Sequence, residues 1–173
     1  MTFGESESEK LFAYLASHLA TTHLPCPEGG EGEVAYSSRV IAASLQGALS
    51  ELGITGLTIG GSGAGPVRRV NFLGSVFIPD FTISYHNSQL IACEVKLARG
   101  PNPQGPIATA IGQAAVYKAS GFPFAIALIV DFTAVSNYPE KEPSLPGSQR
   151  SGIRVILRRA GPDGLGAGIA AEV

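Results

Sequence analysis

Cysteine and charge are both scarce in this chain, and each scarcity excludes a class of protein. Cys26 and Cys93 are the only cysteines among 173 residues, and they form no Cys-x-x-Cys pair. This argues against a disulfide framework and against a zinc cluster, so a reducing cytosol is the expected compartment. Charged residues make up 15% of the chain and the net charge is −2. The chain therefore lacks the overall cationic field of polybasic binders, and any polyanion must be held locally.

Long apolar runs and targeting signals are lacking too. The longest unbroken apolar run, residues 124–130, is far too short to cross a bilayer and indicates a buried strand. The first ten residues show neither the basic nor the apolar segment of a signal peptide. With 45% hydrophobic residues, the composition is that of a globular protein. We expect a single domain over residues 1–173, located in the cytoplasm and with no membrane association.

Apolar periodicity predicts an α/β protein with a mixed central sheet flanked by helices. Helical spacing is found over residues 6–21, from Val40 to a helix end at Gly53, and over 107–120. Strand patterns occupy residues 57–59, 70–73, 76–84, 89–97, 124–132 and 153–159. We expect those from 70 to 97 to form an antiparallel meander with a turn at 86–88, and 153–159 to form an edge strand. Glycine-rich residues 60–66 predict a flexible loop and residues 136–152 a polar loop, while the Gly/Ala-rich tail from residue 160 is expected to be loosely held.

Two acidic residues flank the expected hairpin turn symmetrically. Asp80 lies seven residues before Asn87 and Glu94 lies seven after it, so a three-residue turn would place the two carboxylates directly opposite each other. Lys96 falls on the same face as Glu94 because strand side chains alternate. Apolar residues alternate with Glu94 and Lys96 along the strand, and charged side chains in apolar surroundings usually have a specific role. The alternative is a surface hairpin that carries Glu and Lys for solubility.

An opposed carboxylate pair needs a cation to offset its repulsion, and a hard divalent ion does this best. Mg²⁺, for which Mn²⁺ can substitute, takes one or two protein carboxylates, so Asp80, Glu94 and the Val95 carbonyl are the candidate ligands. Such a metal would polarise a phosphate and lower the pKa of a water that Lys96 orients or deprotonates. The pattern predicts hydrolytic phosphoryl transfer.

Pro79-Asp80 followed by Glu94-x-Lys96 resembles the active-site motif of the PD-(D/E)XK nuclease superfamily. The predicted element order is similar to the αβββαβ restriction-endonuclease-like core of that family over residues 34–132, which leaves the first helix and the C-terminal strand and tail as additions. Gln113-x-x-x-Tyr117 resembles the QxxxY motif of its RecB-like branch, which implies that both residues help to position the lysine, the water or a phosphate. The glycine loop with Ser62 is similar to a segment of archaeal Holliday-junction resolvases. The family adds an acid from the first core helix, here Glu33 in preference to Glu51.

The resemblance implies a Mg²⁺-dependent deoxyribonuclease, an endonuclease by expectation, with DNA as its partner and a homodimer where both strands or a junction are cut. The alternative is a catalytically silent nuclease-like module that binds nucleic acid or protein within a larger complex. Basic residues could form a phosphate-binding rim, or could simply be solvated surface. Expected nucleic-acid contacts are Ser62, Arg68, Arg69, Arg99 and Lys118, with Arg150, Arg154, Arg158 and Arg159 as further rim candidates.

Overall fold

The computed structural model describes residues 4–62, 64–100, 102–132 and 151–172. Most of the predicted polar loop at 136–152, together with Arg150, lies outside these ranges. The described chain is a mixed α/β structure in which helices cover both faces of one mixed sheet. Within those same ranges, no helix combines the length and apolar character needed to cross a membrane.

Helices occur at all three predicted places, but the second helical segment already begins at Glu33 and the last one at Gln104, both earlier than predicted. Helix α3 ends at Gly53, whose φ of 60° is the left-handed conformation typical of a glycine after a helix C-terminus. A π-helical segment, Ser37–Ile41, joins α2 to α3. The four helices are α1 (Glu5–Thr21), α2 (Glu33–Tyr36), α3 (Ala42–Leu52) and α4 (Gln104–Ala119).

Seven strands form the main sheet in the order β1-β4-β5-β6-β7-β8, with β9 also paired to β7. Strands β1, β4 and β5 pair antiparallel, β5, β6 and β7 pair parallel, and β8 and β9 return antiparallel to β7. The strands are β1 (Leu57–Gly60), β2 (Val70–Phe72), β3 (Ser75–Phe77), β4 (Phe81–Tyr85), β5 (Ser88–Ala98), β6 (Phe124–Asp131), β7 (Ile153–Gly161), β8 (Gly164–Leu165) and β9 (Ile169–Glu172).

The alternation of side chains along β5 divides the core between two faces. Ile91, Cys93 and Val95 belong to the larger cluster, with α1 and α3. The opposite face carries small residues, including Ala98 of β5 and four further alanines that pack against or lie on α4: Ala110, Ala114, Ala125 and Ala127. Small side chains let the helix pack closely on the sheet. Glu94 shares the parity of Ala98 and therefore lies on the α4 face.

The prediction of one strand over residues 76–84 is wrong. Strand β3 ends at Phe77 and β4 begins at Phe81, because Pro79 between them has no N–H to donate to a ladder. Among the described strands, β2 and β3 pair only with each other, as a separate two-stranded hairpin. The meander expected over residues 70–97 is therefore an independent hairpin followed by the β4–β5 pair of the main sheet.

The predictions of an edge strand at 153–159 and a loosely held tail are also wrong. Strand β7 pairs with β6 on one side and, from Arg154 to Leu157, with β9 on the other. Backbone pairing does not depend on bulky side chains, so a Gly/Ala-rich segment can complete a sheet.

Candidate active site

The turn between β4 and β5 is shorter than predicted, yet the expected register survives. Tyr85 pairs with Ser88, and the two turn residues, His86 and Asn87, have φ values of 43° and 69°, as a type I′ turn requires. A register shift between Ile83 and Ser84 then offsets the ladder by one residue, so that Phe81 pairs with Cys93. Asp80 directly precedes Phe81 and Glu94 directly follows Cys93. The two acids therefore meet at the end of the β4 ladder.

Lys96 joins two of the acids. Its Nζ donates to Glu94 Oε1 at 2.6 Å and to Glu33 Oε1 at 2.9 Å. Burial alone would lower the pKa of Lys96, but the hydrogen bonds to Glu94 and Glu33 raise that pKa above its usual value overall. Lys96 is thus held as an ammonium ion, which suits orientation and charge stabilisation better than proton abstraction.

Two carboxylates cap the edge of β5 beyond the point where β4 ends. Asp80 Oδ2 accepts a hydrogen bond from the Val95 N–H at 2.7 Å, and Glu33 Oε2 accepts one from the Leu97 N–H at 3.2 Å. In a strand, the N–H and C=O of one residue point to the same edge. The Val95 carbonyl therefore faces the edge that Asp80 occupies. The sequence pattern predicted this carbonyl as a metal ligand together with Asp80.

Asp80 carries a strongly perturbed carboxyl group. Burial, followed by the charge of Glu94, raises the pKa of Asp80 to about 7, against the opposing effects of the Val95 N–H and the Lys96 ammonium. Three carboxylates, those of Asp80, Glu94 and Glu33, share this single ammonium group. The site therefore has a surplus of negative charge that a proton or a bound cation would neutralise.

Tyr117 fixes the second oxygen of Glu94. Its hydroxyl donates to Glu94 Oε2 at 2.7 Å, and its side chain is fully buried. Burial and then this hydrogen bond raise the pKa of Tyr117. Glu94 itself is 2% exposed, and both of its oxygens accept hydrogen bonds. Each carboxylate oxygen has two lone pairs, so Glu94 keeps the capacity to bind a cation.

An ion pair that the sequence did not indicate lies two residues before Glu33 in the chain, at Glu31. Arg39 donates to both carboxylate oxygens of Glu31, at 2.8 and 2.7 Å, and these hydrogen bonds lower the pKa of Glu31 to about 2. The guanidinium of Arg99 donates to the backbone carbonyl of Glu31 and lies over the Phe132 ring. Because Glu31 precedes the helix that carries Arg39, their spacing matches no helical pairing rule.

The glycine loop presses against the backbone of Asp80. A Cβ on Gly61 would lie 2.0 Å from the Asp80 carbonyl oxygen, and φ at Gly61 is +101°. The loop closes on itself through Gly61 N–H to the Gly65 carbonyl at 2.8 Å and Ala64 N–H to the Gly61 carbonyl at 2.7 Å. Ser62 directly follows the glycine that abuts Asp80.

The other predicted residues are distributed less compactly. Gln113 is half-buried on α4, and its Oε1 is buried without a hydrogen-bond partner among the described residues. Arg68 lies over the ring of Phe122, which in turn contacts Tyr117, and Arg69 is exposed.

Lys118 lies apart from the carboxylates. Its Nζ contacts the Pro123 carbonyl and the Phe124 ring, at the start of β6, whereas Lys96 lies level with Ile129. Five strand residues separate the two levels, roughly 16 Å at 3.3 Å per residue.

Two further rim candidates are engaged within the fold. Arg158 is buried, which rules it out as a surface cation, and Arg154 pairs with Glu172 at 3.4 Å. Arg68, Arg69 and Arg99 remain candidates for a phosphate rim near the carboxylates, and so does the exposed Arg159, which pairs with Asp131 at the end of β6.

The donors present fit a hard divalent cation. Throughout the described ranges, no three or more His, Cys, Asp or Glu side chains are grouped so that they could hold a metal. Glu33 faces Lys96 and the Leu97 N–H instead. Mg²⁺ needs only one or two carboxylates and completes its shell with water and phosphate oxygens. Asp80, Glu94 and the Val95 carbonyl are oxygen donors of the kind that such a set requires.

Comparison with known proteins gives no family assignment for this chain. No family model matches the chain, and neither a curated protein nor a solved structure matches it significantly.

Proposed function

We propose that this chain is a divalent-metal-dependent nuclease of the PD-(D/E)XK type that hydrolyses DNA phosphodiester bonds. The observation that carries the proposal is the convergence of Asp80, Glu94 and Lys96 at the end of one strand pair, with the buried Glu94 bonded to Lys96 at 2.6 Å. A buried acid cluster with a perturbed pKa is more typical of a working site than of a surface hairpin.

The succession of elements supports the same family. A helical segment ending in α3 is followed by three strands of the main sheet (β1, β4 and β5), then by α4 and β6. This order is consistent with the αβββαβ order of a restriction-endonuclease-like core, if the β2–β3 hairpin is an insertion between its first two strands. Helix α1 and strands β7 to β9 are additions to that core.

Each residue of the site has a definable role in the proposed reaction. Asp80, Glu94 and the Val95 carbonyl would hold the cation, which when bound supplies Lewis-acid stabilisation to the phosphate. Lys96 presents an ammonium group to charge that develops on the phosphoryl oxygens. Glu33 and Glu94 orient Lys96, and Tyr117 orients Glu94, so the charged groups are held in place before substrate arrives.

The direct test is cleavage of linear, circular, single-stranded and branched DNA with Mg²⁺, Mn²⁺ or chelator. Cleavage should require the metal, and Asp80→Asn and Lys96→Ala should each lower its rate by about 100-fold or more. Asp163→Asn and Lys10→Ala, which change exposed residues outside the site, are the matched controls and should cleave normally.

Other outcomes would contradict the proposal. Full activity of either site variant, or cleavage that persists in chelator, would refute the assigned roles. Metal-independent DNA binding with no cleavage of any substrate would instead identify the catalytically silent module.

A further inference from the structure

The β2–β3 hairpin exposes apolar side chains that the fold does not use. Among the described residues, five large apolar side chains are exposed, and three belong to this hairpin or its outgoing leg. Leu73 at the tip is 91% exposed, Val76 58% and Ile78 47%. Single exposed apolar residues are ordinary, but a cluster on a projecting element marks a binding surface.

The base of the hairpin is fixed against one wall of the candidate active site. Val70 is buried in a cluster with Ala92, Tyr117 and Phe122, and Phe77 packs on the same cluster. Tyr117 is the residue that donates to Glu94. The hairpin is therefore anchored beside the carboxylates, while its tip projects into solvent.

The tip residue is poorly suited to its backbone conformation. Leu73 and Gly74 have φ values of 48° and 79°, the left-handed conformation of a type I′ turn, which favours asparagine or glycine. A leucine there is strained and buries almost nothing against the residues that the structure describes. Folding alone therefore gives no reason for an apolar side chain at this position.

The charge of the hairpin region identifies the kind of partner. Residues 61–79 contain two arginines, Arg68 and Arg69, and no acidic residue, in a chain whose net charge is −2. Both arginines are exposed. The hairpin therefore has two arginines near its start and an apolar residue at its tip. This arrangement complements a nucleic acid, which offers anionic phosphates and the apolar faces of its nucleobases. A second copy of the hairpin would instead bring like charges together.

The reach of the hairpin places its tip near the reaction. Asp80 lies seven positions after Leu73, so the tip lies within roughly 23 Å of the carboxylates at 3.3 Å per strand residue. This span corresponds to about seven base pairs at 3.4 Å each. The tip would therefore meet bases close to the scissile phosphate.

We propose that the β2–β3 hairpin is a DNA-binding arm that inserts Leu73 among bases, so that the preferred substrate has unpaired or unstacked bases. Apolar wedges of this kind must separate stacked bases, and the cost is smallest where pairing is already interrupted, as at a fork or bulge. Arg68 and Arg69 hold the neighbouring phosphates. The inference rests on the proposed nuclease function for its role in cutting, but binding through the arm can be measured without cleavage.

The test compares binding of a labelled duplex and a fork of the same sequence, by fluorescence anisotropy in chelator. The intact chain should bind the fork about tenfold more tightly, and Leu73→Asn should remove most of that preference while leaving duplex binding within about twofold. Asparagine suits the positive φ, so this variant keeps the turn. Ile54→Asn changes an exposed apolar residue on another loop and should leave both affinities unchanged.

A double variant separates the arginines from the tip. Arg68→Ala with Arg69→Ala should weaken fork and duplex binding alike and reduce the slope of log K against log salt by about 2. Lys10→Ala, an exposed cation on α1, should leave the slope unchanged.

Several results would overturn the arm. The proposal is wrong if the intact chain binds fork and duplex with equal affinity. It is also wrong if Leu73→Asn binds the fork as tightly as the intact chain does. If the intact chain is a dimer that Leu73→Asn converts to a monomer with DNA binding unaltered, Leu73 forms a subunit contact instead.

Failure of the nuclease proposal would give a different result: fork binding would still depend on Leu73, but no DNA would be cut with Mg²⁺. Equal cleavage of fork and duplex by the intact chain and by Leu73→Asn would keep the nuclease and remove the arm.

Discussion

Asp80 is a carboxyl group whose charge the fold disfavours, and this makes stability depend on pH. Its pKa rises from 3.8 to about 7, through burial and then the charge of Glu94. The folded state binds this proton more tightly than the unfolded chain does, so the contribution of the group to stability is complete below about pH 4. That contribution is lost as the pH rises through 7.

Replacing Asp80 with Asn removes the titration while keeping an oxygen that can accept the Val95 N–H. In metal-free buffer, the unfolding free energy of Asp80→Asn relative to the native chain should increase by about 1–2 kcal/mol between pH 4 and pH 8, after allowance for solvent screening. Urea unfolding at pH 4, 6 and 8 measures this, with Asp163→Asn as an exposed control. A difference that does not change with pH would contradict the burial of Asp80 charge. Adding Mg²⁺ at pH 8 should stabilise the native chain but not the variant.

Tyr117 links the stability of the fold to the orientation of Glu94. Tyr117→Phe removes the donor to Glu94 Oε2 and leaves a buried carboxylate oxygen unpaired, which should cost about 1–3 kcal/mol. DNA cleavage should fall as well, because Glu94 loses one of its two fixed contacts. Tyr14→Phe is the matched control: its hydroxyl makes longer bonds, 3.3 Å to Glu51 and 3.5 Å to the Ala48 carbonyl, and contacts none of Asp80, Glu94 and Lys96 through them. Equal effects of the two changes on cleavage would argue against a positioning role for Tyr117.

At the scale of the elements, side-chain alternation predicted which residues share a face, but not how the strands are joined. The equal spacing of Asp80 and Glu94 about Asn87 led to the right pairing through the wrong turn. A two-residue turn and a register shift between Ile83 and Ser84 together displace the ladder as a three-residue turn would. A one-residue shift alone would have moved every side chain of β4 to the opposite face, so the predicted faces are correct because the two changes cancel. The separate β2–β3 hairpin went unrecognised because its strands carry the same β-type residues as the main sheet.

The close approach of the glycine loop to β4 can be tested with one methyl group. Gly61→Ala puts a Cβ 2.0 Å from the Asp80 carbonyl oxygen at a φ of +101°, and neither backbone can yield without displacing Asp80. We expect a loss of about 2 kcal/mol or more and impaired cleavage. Gly47→Ala lies within α3 with open space around it and should stabilise the protein by about 0.5–1 kcal/mol. Thermal melts of both variants measure these changes in stability. A Gly61→Ala protein as stable as the native chain would contradict the close contact between Gly61 and the Asp80 carbonyl.

Across the whole molecule, contacts between distant segments were the least predictable from sequence. The contact of Glu33 with Lys96 spans 63 residues, and only the family resemblance pointed to that acid. Lys118 follows Tyr117 directly, yet the helix directs the two side chains to different regions: Tyr117 contacts Glu94, whereas Lys118 contacts the Pro123 carbonyl. The C-terminal tail was misread because its composition resembles a linker, whereas its backbone groups pair with β7.

Arg158 connects the first helix to the C-terminal tail, so replacing it tests how much this long-range contact stabilises the whole fold. It is 1% exposed and donates to four backbone carbonyls: Leu19 and Thr22 near the end of α1, and Leu165 and Gly166 in and after β8. A lysine ammonium has three donors at one point and cannot span the four acceptors that a planar guanidinium reaches. Arg158→Lys should therefore lower the unfolding free energy by about 2–3 kcal/mol, with carbonyls left unpaired.

Urea denaturation of Arg158→Lys measures this loss, with the exposed Arg69→Lys as a control that should unfold like the native chain. Cleavage per folded molecule should stay normal in Arg158→Lys, because no contact of Arg158 involves Asp80, Glu94 or Lys96. A chain that ends at Asp163 loses two of the four acceptors together with β8 and β9, so it should be destabilised at least as much. If that truncated chain were as stable as the full one, the tail would be dispensable and the pairing of β9 with β7 would contribute little to the fold.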